Sequence, residues 1–181
     1  YFIPPKVWAW RFSRIEKLSQ HTKMVLGIFP FEEEIYRECE IPFQYVGNPL
    51  VDELPYDLTQ EEAKKRLGIA KEQDVISVFP GSRHTEIKMH VEIFSDALRR
   101  FLRELPSTYS KPQIVIPVAP TLKIENLKPL FDKFLPEARL YQGLSHECLK
   151  ASRAALVKSG TSTLEAGLLG VPMILAYQAS K

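Results

Sequence analysis

Twice in this chain a short apolar run opens directly into small hydroxylated residues and then into an amphipathic stretch. Val75-Ile76-Ser77-Val78-Phe79 leads into Pro80-Gly81-Ser82-Arg83-His84-Thr85-Glu86, and Ala154-Ala155-Leu156-Val157 leads into Ser159-Gly160-Thr161-Ser162-Thr163-Leu164-Glu165. A β-branched run bounded in this way reads as a strand buried on both faces, the kind found in parallel sheets covered by helices. Where such a strand turns into a helix, free backbone N–H groups and the positive end of the helix dipole face outward and favour an anion. Both turns therefore look built for phosphate. Neither contains Gly-Lys-Ser/Thr and neither reads G-x-G-x-x-G, which argues against P-loop hydrolysis and standard dinucleotide binding.

The same alternation continues along the chain and predicts an α/β fold with a parallel β-sheet flanked by helices. Strands are expected at Met24 to Ile28, Phe43 to Val46, Val75 to Phe79, Gln113 to Val118, Ala138 to Tyr141, Ala154 to Val157 and Met173 to Ala176. The clearest helix follows the first turn, with Ile87, Val91, Phe94, Leu98, Phe101 and Leu105 on one face and Lys88, Glu92, Asp96, Arg99 and Arg103 on the other. Thr59 and Glu62 form a capping box for a further helix that Gly68 terminates. From Gly47 to Leu58 the sequence has two prolines and no period, which places a linker at residues 51–58. Residues 1–50 then supply the closing part of one Rossmann-like domain, and residues 59–181 most of a second, cut short at its C-terminal end.

Bulk properties remove several function classes. With 181 residues, 45% of them hydrophobic, the chain has enough apolar material for a real core. A net charge of +2 without basic runs or RNA-recognition signatures argues against a nucleic-acid partner. Cys39 and Cys148 stand alone, without C-x-x-C spacing or paired histidines, so neither a disulfide framework nor a zinc site is expected, and a reducing cytosol fits. No apolar run approaches the roughly 20 residues needed to cross a bilayer. Tyr1-Phe2-Ile3 reads as strand rather than signal peptide. An opening without methionine, and a core-like strand at Val171 to Tyr177 with little after it, suggest a piece of a longer protein.

The two turns carry the candidate chemistry. Gly81 permits a tight bend and close approach of backbone to ligand, Ser82 offers a hydroxyl, and Arg83 can fork two N–H donors onto phosphate oxygens. The competing structural reading pairs Arg83 with Glu86 in an ordinary loop. In the second turn Ser159, Gly160, Thr161, Ser162 and Thr163 expose N–H and O–H donors without bulk, and Glu165 lies a turn inside the helix, where its carboxylate suits a ribose diol. The competing reading there is a capping box between Ser162 and Glu165. A third turn, Tyr141-Gln142-Gly143-Leu144-Ser145-His146, belongs at the same carboxyl edge, where Gly143 and Leu144 would line a base.

The remaining polar features read more plainly. His146 is a helix-start residue with no carboxylate spaced to orient it, and His84 and His90 are solvated. The acidic stretch Glu32, Glu33, Glu34, Glu38 and Glu40 is an exposed face, since D-x-D metal spacing is absent. From Tyr1 to Lys23, Lys6, Arg11, Arg14, Lys17 and Lys23 interleave with Phe2, Trp8, Trp10 and Phe12. That mixture suits an anionic lipid surface or substrate, with Arg11 and Arg14 as the contacts, or else core tryptophans beneath ordinary surface charge.

Taken in order, Tyr1-x-x-Pro4-x-x-Val7-Trp8-Ala9-Trp10-Arg11, Phe29-Pro30-Phe31-Glu32, Val46-Gly47-Asn48-Pro49-Leu50, Pro80-Gly81-Ser82-Arg83-x-x-Glu86 and Ser159-Gly160-Thr161-x-Thr163-Leu164-Glu165 resemble the lipid A disaccharide synthase family. The resemblance implies a GT-B glycosyltransferase that joins UDP-2,3-diacylglucosamine to 2,3-diacylglucosamine 1-phosphate with inversion, forming a β-1,6 disaccharide and UDP without metal or other cofactor. It implies a cytoplasmic enzyme attached peripherally to the inner membrane of a Gram-negative bacterium, and it admits a homodimer. Ser82 and Arg83 would hold the diphosphate, Ser159 to Thr163 would add helix-start donors, Glu165 would accept the ribose hydroxyls, and Arg83 would stabilise the leaving group. The general base would lie outside this chain, so the isolated chain is expected to be inactive. Asn48 and Gln178 depart from the family pattern. The alternatives are another GT-B UDP-N-acetylglucosamine transferase or epimerase, or an inactive nucleotide-binding fragment.

Overall fold

The computed structural model describes residues 1–6 and 13–178, and the Trp8-Ala9-Trp10-Arg11 segment lies outside them. The chain forms two compact units, Tyr1–Glu53 and Leu54–Lys181. In the first, α1 (Arg14–His21) and α2 (Glu32–Glu38) accompany a parallel pair, β1 (Val25–Gly27) and β2 (Phe43–Tyr45). Ile15, Leu18, Val25, Tyr36 and Ile41 are its core, with the Tyr36 ring stacked on Phe43 at 5.3 Å. Gly27 is required by close packing, since a Cβ there would lie 2.2 Å from the Phe43 ring.

Several local expectations change in this unit. Tyr1-Phe2-Ile3 makes a single bridge from Phe2 to Leu26 rather than a strand, and Ile3 then takes a positive φ of 52° that carries the backbone away. Glu32 is buried, not part of an exposed face, because it starts α2 against the core beside Gly27. Glu40 lies past the helix, at φ 54°. The stretch read as aperiodic contains one helical turn, α3 (Leu50–Glu53), started where Asn48 Oδ1 accepts the Leu50 N–H at 3.1 Å. Asn side chains commonly begin turns this way, a signal that period counting does not register.

The second unit is a five-stranded parallel sheet, β3 (Val75–Phe79), β4 (Gln113–Val118), β5 (Arg139–Gln142), β6 (Ala154–Lys158) and β7 (Met173–Ala176), in the order β5-β4-β3-β6-β7. Its helices are α4 (Gln60–Arg66), α5 (His84–Glu104), α6 (Ile124–Phe134), α7 (Ser145–Ala151) and α8 (Thr161–Leu168). Along β3 and β4 the even positions Val78, Ile114, Ile116 and Val118 pack with Ile87, Val91, Phe94 and Leu98 of α5 and Leu127 and Phe131 of α6. Val75, Phe79 and Val115 are buried on the opposite face, where α7 lies against β3 and β4. Burial on both faces explains why these strands read as unbroken apolar runs.

The expected capping box is formed: Thr59 Oγ1 accepts the Glu62 N–H at 3.2 Å, and Glu62 takes the Thr59 N–H at 3.0 Å. Gly68 follows with φ +63°, the left-handed geometry that ends helices. On α5 the buried stripe is wider and shorter than the sequence reading. Phe101 is exposed, whereas His90 and Ser95 are buried, so the covered arc is widened on both flanks of the stripe and stops before the last turns. Edge strand β7 pairs with β6 but leaves Met173, Ile174 and Leu175 exposed.

Candidate functional site

Strand order fixes where a ligand can enter. From β3 the chain moves outward through β4 and β5, then crosses back to place β6 on the other side of β3. The carboxyl ends of β3 and β6 therefore flank a topological switch point, where open α/β sheets leave a crevice. Pairing between β3 and β4 ends at Ser77 and Val115, while β3 and β6 stay paired through Phe79 and Val157. Gln113 N–H donates toward β3, to Asp74 O. Alternation along the strand puts the nitrogen of Pro117 on that same side, and proline has no N–H to continue the ladder. The strands part there, and a hollow of about 320 Å³ opens between Gly81 and Ser82 on one wall and Gly160, Thr161 and Ser162 on the other. That volume is at the low end of ligand pockets, which run from about 300 to 1,000 Å³.

In the first turn Gly81 has φ +140°, and a Cβ there would lie 2.5 Å from the Glu86 Cβ. Glycine is needed because the Glu86 side chain folds back over the turn. Its Oε2 accepts the Ser82 N–H at 3.1 Å, and its Oε1 receives Arg83 Nη1 at 3.0 Å and Lys158 Nζ at 3.2 Å. Burial alone would raise the Glu86 pKa, but the Ser82 N–H, Lys158 and Arg83 together more than offset it and hold the carboxyl below the ordinary value. The Arg83–Glu86 pair weighed in the sequence is thus present. Arg83 is 78% exposed on its side chain and does not line the hollow, whereas Lys158, at 15%, does.

The second turn is built differently. Gly160 is the N-cap of α8, and no side chain caps it. Thr163 Oγ1 donates to Gly160 O at 2.6 Å, and Ser162 lies inside the helix, so the Ser162–Glu165 capping box does not form. The Glu165 carboxylate instead lines the hollow without a hydrogen bond or ion pair among the described residues. Burial raises its pKa, and the charge of nearby His146 acts weakly in the other direction. The fold thus brings Glu165 close enough to His146 for their charges to interact. Ser159 is tied to the sheet through its N–H and Ala176 O, and neither Ser159 nor Thr163 lines the hollow.

The third turn completes the wall. Gly143, at φ +69°, donates its N–H to Val118 O at 2.9 Å, and Gln142 Nε2 donates to Ala119 O at 2.9 Å. These bonds hold the Val118-Ala119-Pro120 bend beside Gly143 and Ser145 at the hollow. Leu144 caps α7 and does not line it.

A family model described as lipid-A-disaccharide synthetase matches residues 1–181. The chain belongs to the lipid-A-disaccharide synthetase family. The lipid-A-disaccharide synthase of Myxococcus xanthus (strain DK1622) is 36% identical over 180 residues, which cover 99% of this chain and 46% of that relative. Those of Pseudomonas paraeruginosa (strain DSM 24068 / PA7) and Chromobacterium violaceum (strain ATCC 12472) are 35% and 34% identical, over 99% of this chain and 47% and 46% of their own length. The chain spans about half the length of these curated relatives. The parallel α/β architecture is the one the family resemblance implied.

Within this lipid-A-disaccharide synthetase family chain, the structure gathers Gly81, Ser82, Gly143, Gly160, Thr161, Ser162 and Glu165 around one hollow. Arg14 is exposed at the start of α1 in the first unit, and Arg11 lies outside the described residues. Sequence reasoning missed Lys158, although a lysine ending an apolar strand just before Ser159-Gly160 is itself a signal, because its ammonium must reach the carboxyl edge. It also misplaced His90, which is buried rather than solvated. Gln178 N–H donates to His90 Nε2 at 3.1 Å, so that nitrogen is the acceptor and Nδ1 carries the proton given to Glu86 O at 2.7 Å. Tyr177 stands against the His90 ring at 6.0 Å and beneath Lys158 Nζ at 5.8 Å. Among the described residues no helix is long and apolar enough to cross a membrane, and no three His, Cys, Asp or Glu side chains cluster as metal ligands would.

Proposed function

We propose that the hollow binds the nucleoside diphosphate of a UDP-sugar, and that the chain is the donor-binding part of a glycosyltransferase. The reaction would transfer 2,3-diacylglucosamine from its UDP derivative to 2,3-diacylglucosamine 1-phosphate, forming a β-1,6 disaccharide with inversion and releasing UDP, without a metal. Residues 1–50 would belong to the acceptor-side domain, 51–58 to the linker and 59–181 to the donor domain. The reading places the enzyme peripherally on the cytoplasmic face of an inner membrane, with Arg11 and Arg14 toward lipid or acceptor. It rests on family membership and on the names its relatives carry.

One observation carries the reading: two glycine turns converge at the switch point with Lys158 between them and Glu165 one helical turn away. Departure of UDP leaves growing negative charge on the diphosphate. Donors held in place by the fold stabilise such charge, and those at the hollow are the Ser82 N–H, the Lys158 ammonium and the start of α8, with Arg83 beside them at its rim. Glu165 repels phosphate but accepts hydroxyl hydrogens, which orients the ribose toward it and the diphosphate away.

The test compares UDP-2,3-diacylglucosamine with unacylated UDP-glucosamine as donor to 2,3-diacylglucosamine 1-phosphate, using the full-length protein that contains this chain. Disaccharide formed from the acylated donor alone supports the reading. Equal turnover of the unacylated donor would assign the site to another UDP-sugar transferase.

A further inference from the structure

One carboxylate occupies the center of the first turn's donor set. Glu86 Oε2 accepts the Ser82 main-chain N–H at 3.1 Å, and Oε1 accepts from Arg83 Nη1 at 3.0 Å and Lys158 Nζ at 3.2 Å. An amide, a guanidinium and an ammonium converging on two oxygens is the arrangement that binds a phosphate group. Glu86 is a residue of the protein, 72 positions from Lys158 in sequence, yet it stands where an anionic ligand would.

Gly81 shows that the fold accommodates this placement. A Cβ at position 81 would lie 2.5 Å from Glu86 Cβ and 2.8 Å from Oε2. The glycine thus makes room for the carboxylate to lie across the turn. Lys158 has a second contact that does not depend on Glu86, its position over the Tyr177 ring at 5.8 Å. Ser82 N–H is fixed by the backbone. Neither donor needs Glu86 in order to face the hollow, and a negative charge among them opposes a second one.

Resting on the reading of the hollow as a diphosphate site, we propose that Glu86 is an internal competitor for the ligand's phosphate and so sets how tightly the site holds phosphate. A phosphate group enters by exchanging with the Glu86 carboxylate at Ser82 N–H, Arg83 and Lys158. A ligand has to bring enough charge to win that exchange. A neutral molecule that leaves the carboxylate in place does not meet this competition, so Glu86 lowers affinity for phosphate-bearing ligands selectively.

Calorimetric titration of inorganic pyrophosphate, UDP and uridine into the wild-type chain, Glu86→Gln and Glu86→Ala decides the matter. Gln keeps the length and an acceptor for the Ser82 N–H while removing the charge, and Ala removes the acceptor as well. Affinity for pyrophosphate and UDP is expected to rise about tenfold in both variants, with uridine unchanged. A purely structural role for Glu86 would not raise affinity for phosphate alone. Unchanged or weaker pyrophosphate binding in the variants, with wild type still binding UDP, overturns the competitor role and leaves the diphosphate reading standing. Failure of every form to bind either phosphate ligand overturns both.

Discussion

The turns after β3 and β6 look alike in sequence and differ in how their donors are used. In the first, the donors converge on a carboxylate from the chain itself, and Gly81 makes space for it. In the second, α8 begins at Gly160 without any side-chain cap, and the carboxylate that follows, Glu165, faces the hollow instead of the turn. A Ser-x-x-Glu spacing and an Arg-x-x-Glu spacing therefore led to opposite outcomes. What decided between them is the helix start: α5 begins so that Glu86 reaches back to Ser82, while α8 begins two residues too early for Ser162 to act as its cap.

The largest effect should come from breaking the first turn. Gly81→Ala forces a Cβ onto Glu86 at positive φ, strain of order 1–3 kcal/mol, and is expected to lower the melting temperature and to reduce UDP affinity by roughly a hundredfold in calorimetry. Next is Lys158→Met, which removes the cation shared by the hollow and Glu86; charge-assisted hydrogen bonds of about 1.5–3 kcal/mol predict a loss of UDP affinity of roughly tenfold to a hundredfold. Glu165→Gln tests the nucleoside end, with uridine affinity expected to fall several-fold while pyrophosphate affinity holds. The smallest effect belongs to Thr161→Ala, because main-chain amides do the binding in the second turn; UDP affinity should change by less than about threefold.

The two carboxylates should also respond to pH with opposite sign. Glu86 has a lowered pKa, so its ionised form stabilises the fold above the ordinary carboxylate value, and that contribution is lost as pH falls through the lowered value. Glu165 has a raised pKa, so it costs nothing below the ordinary value and its cost grows as pH rises through the raised one. Denaturation curves at neutral pH should show Glu86→Gln less stable and Glu165→Gln more stable than wild type. Both differences should vanish in acid.

Much of the architecture was legible because doubly buried parallel strands leave unbroken apolar runs, and because Thr59, Glu62 and Gly68 mark a helix from local chemistry alone. Strand order was not legible, since pairing β6 beside β3 is a choice made in three dimensions. The same holds for Lys158 meeting Glu86 and for His146 lying near Glu165. His90 was misread because counting steps of three and four finds the center of a buried stripe and not its width. Arg83 stood out by residue type, but its side chain points mostly to solvent, and the cation within the hollow is Lys158.

A crystal structure of the chain with UDP tests the account most directly. The account predicts the diphosphate between Ser82 N–H, Lys158 and the start of α8, with the ribose hydroxyls on Glu165. UDP bound away from this hollow, or lying in it with its ribose and phosphates reversed, would contradict it.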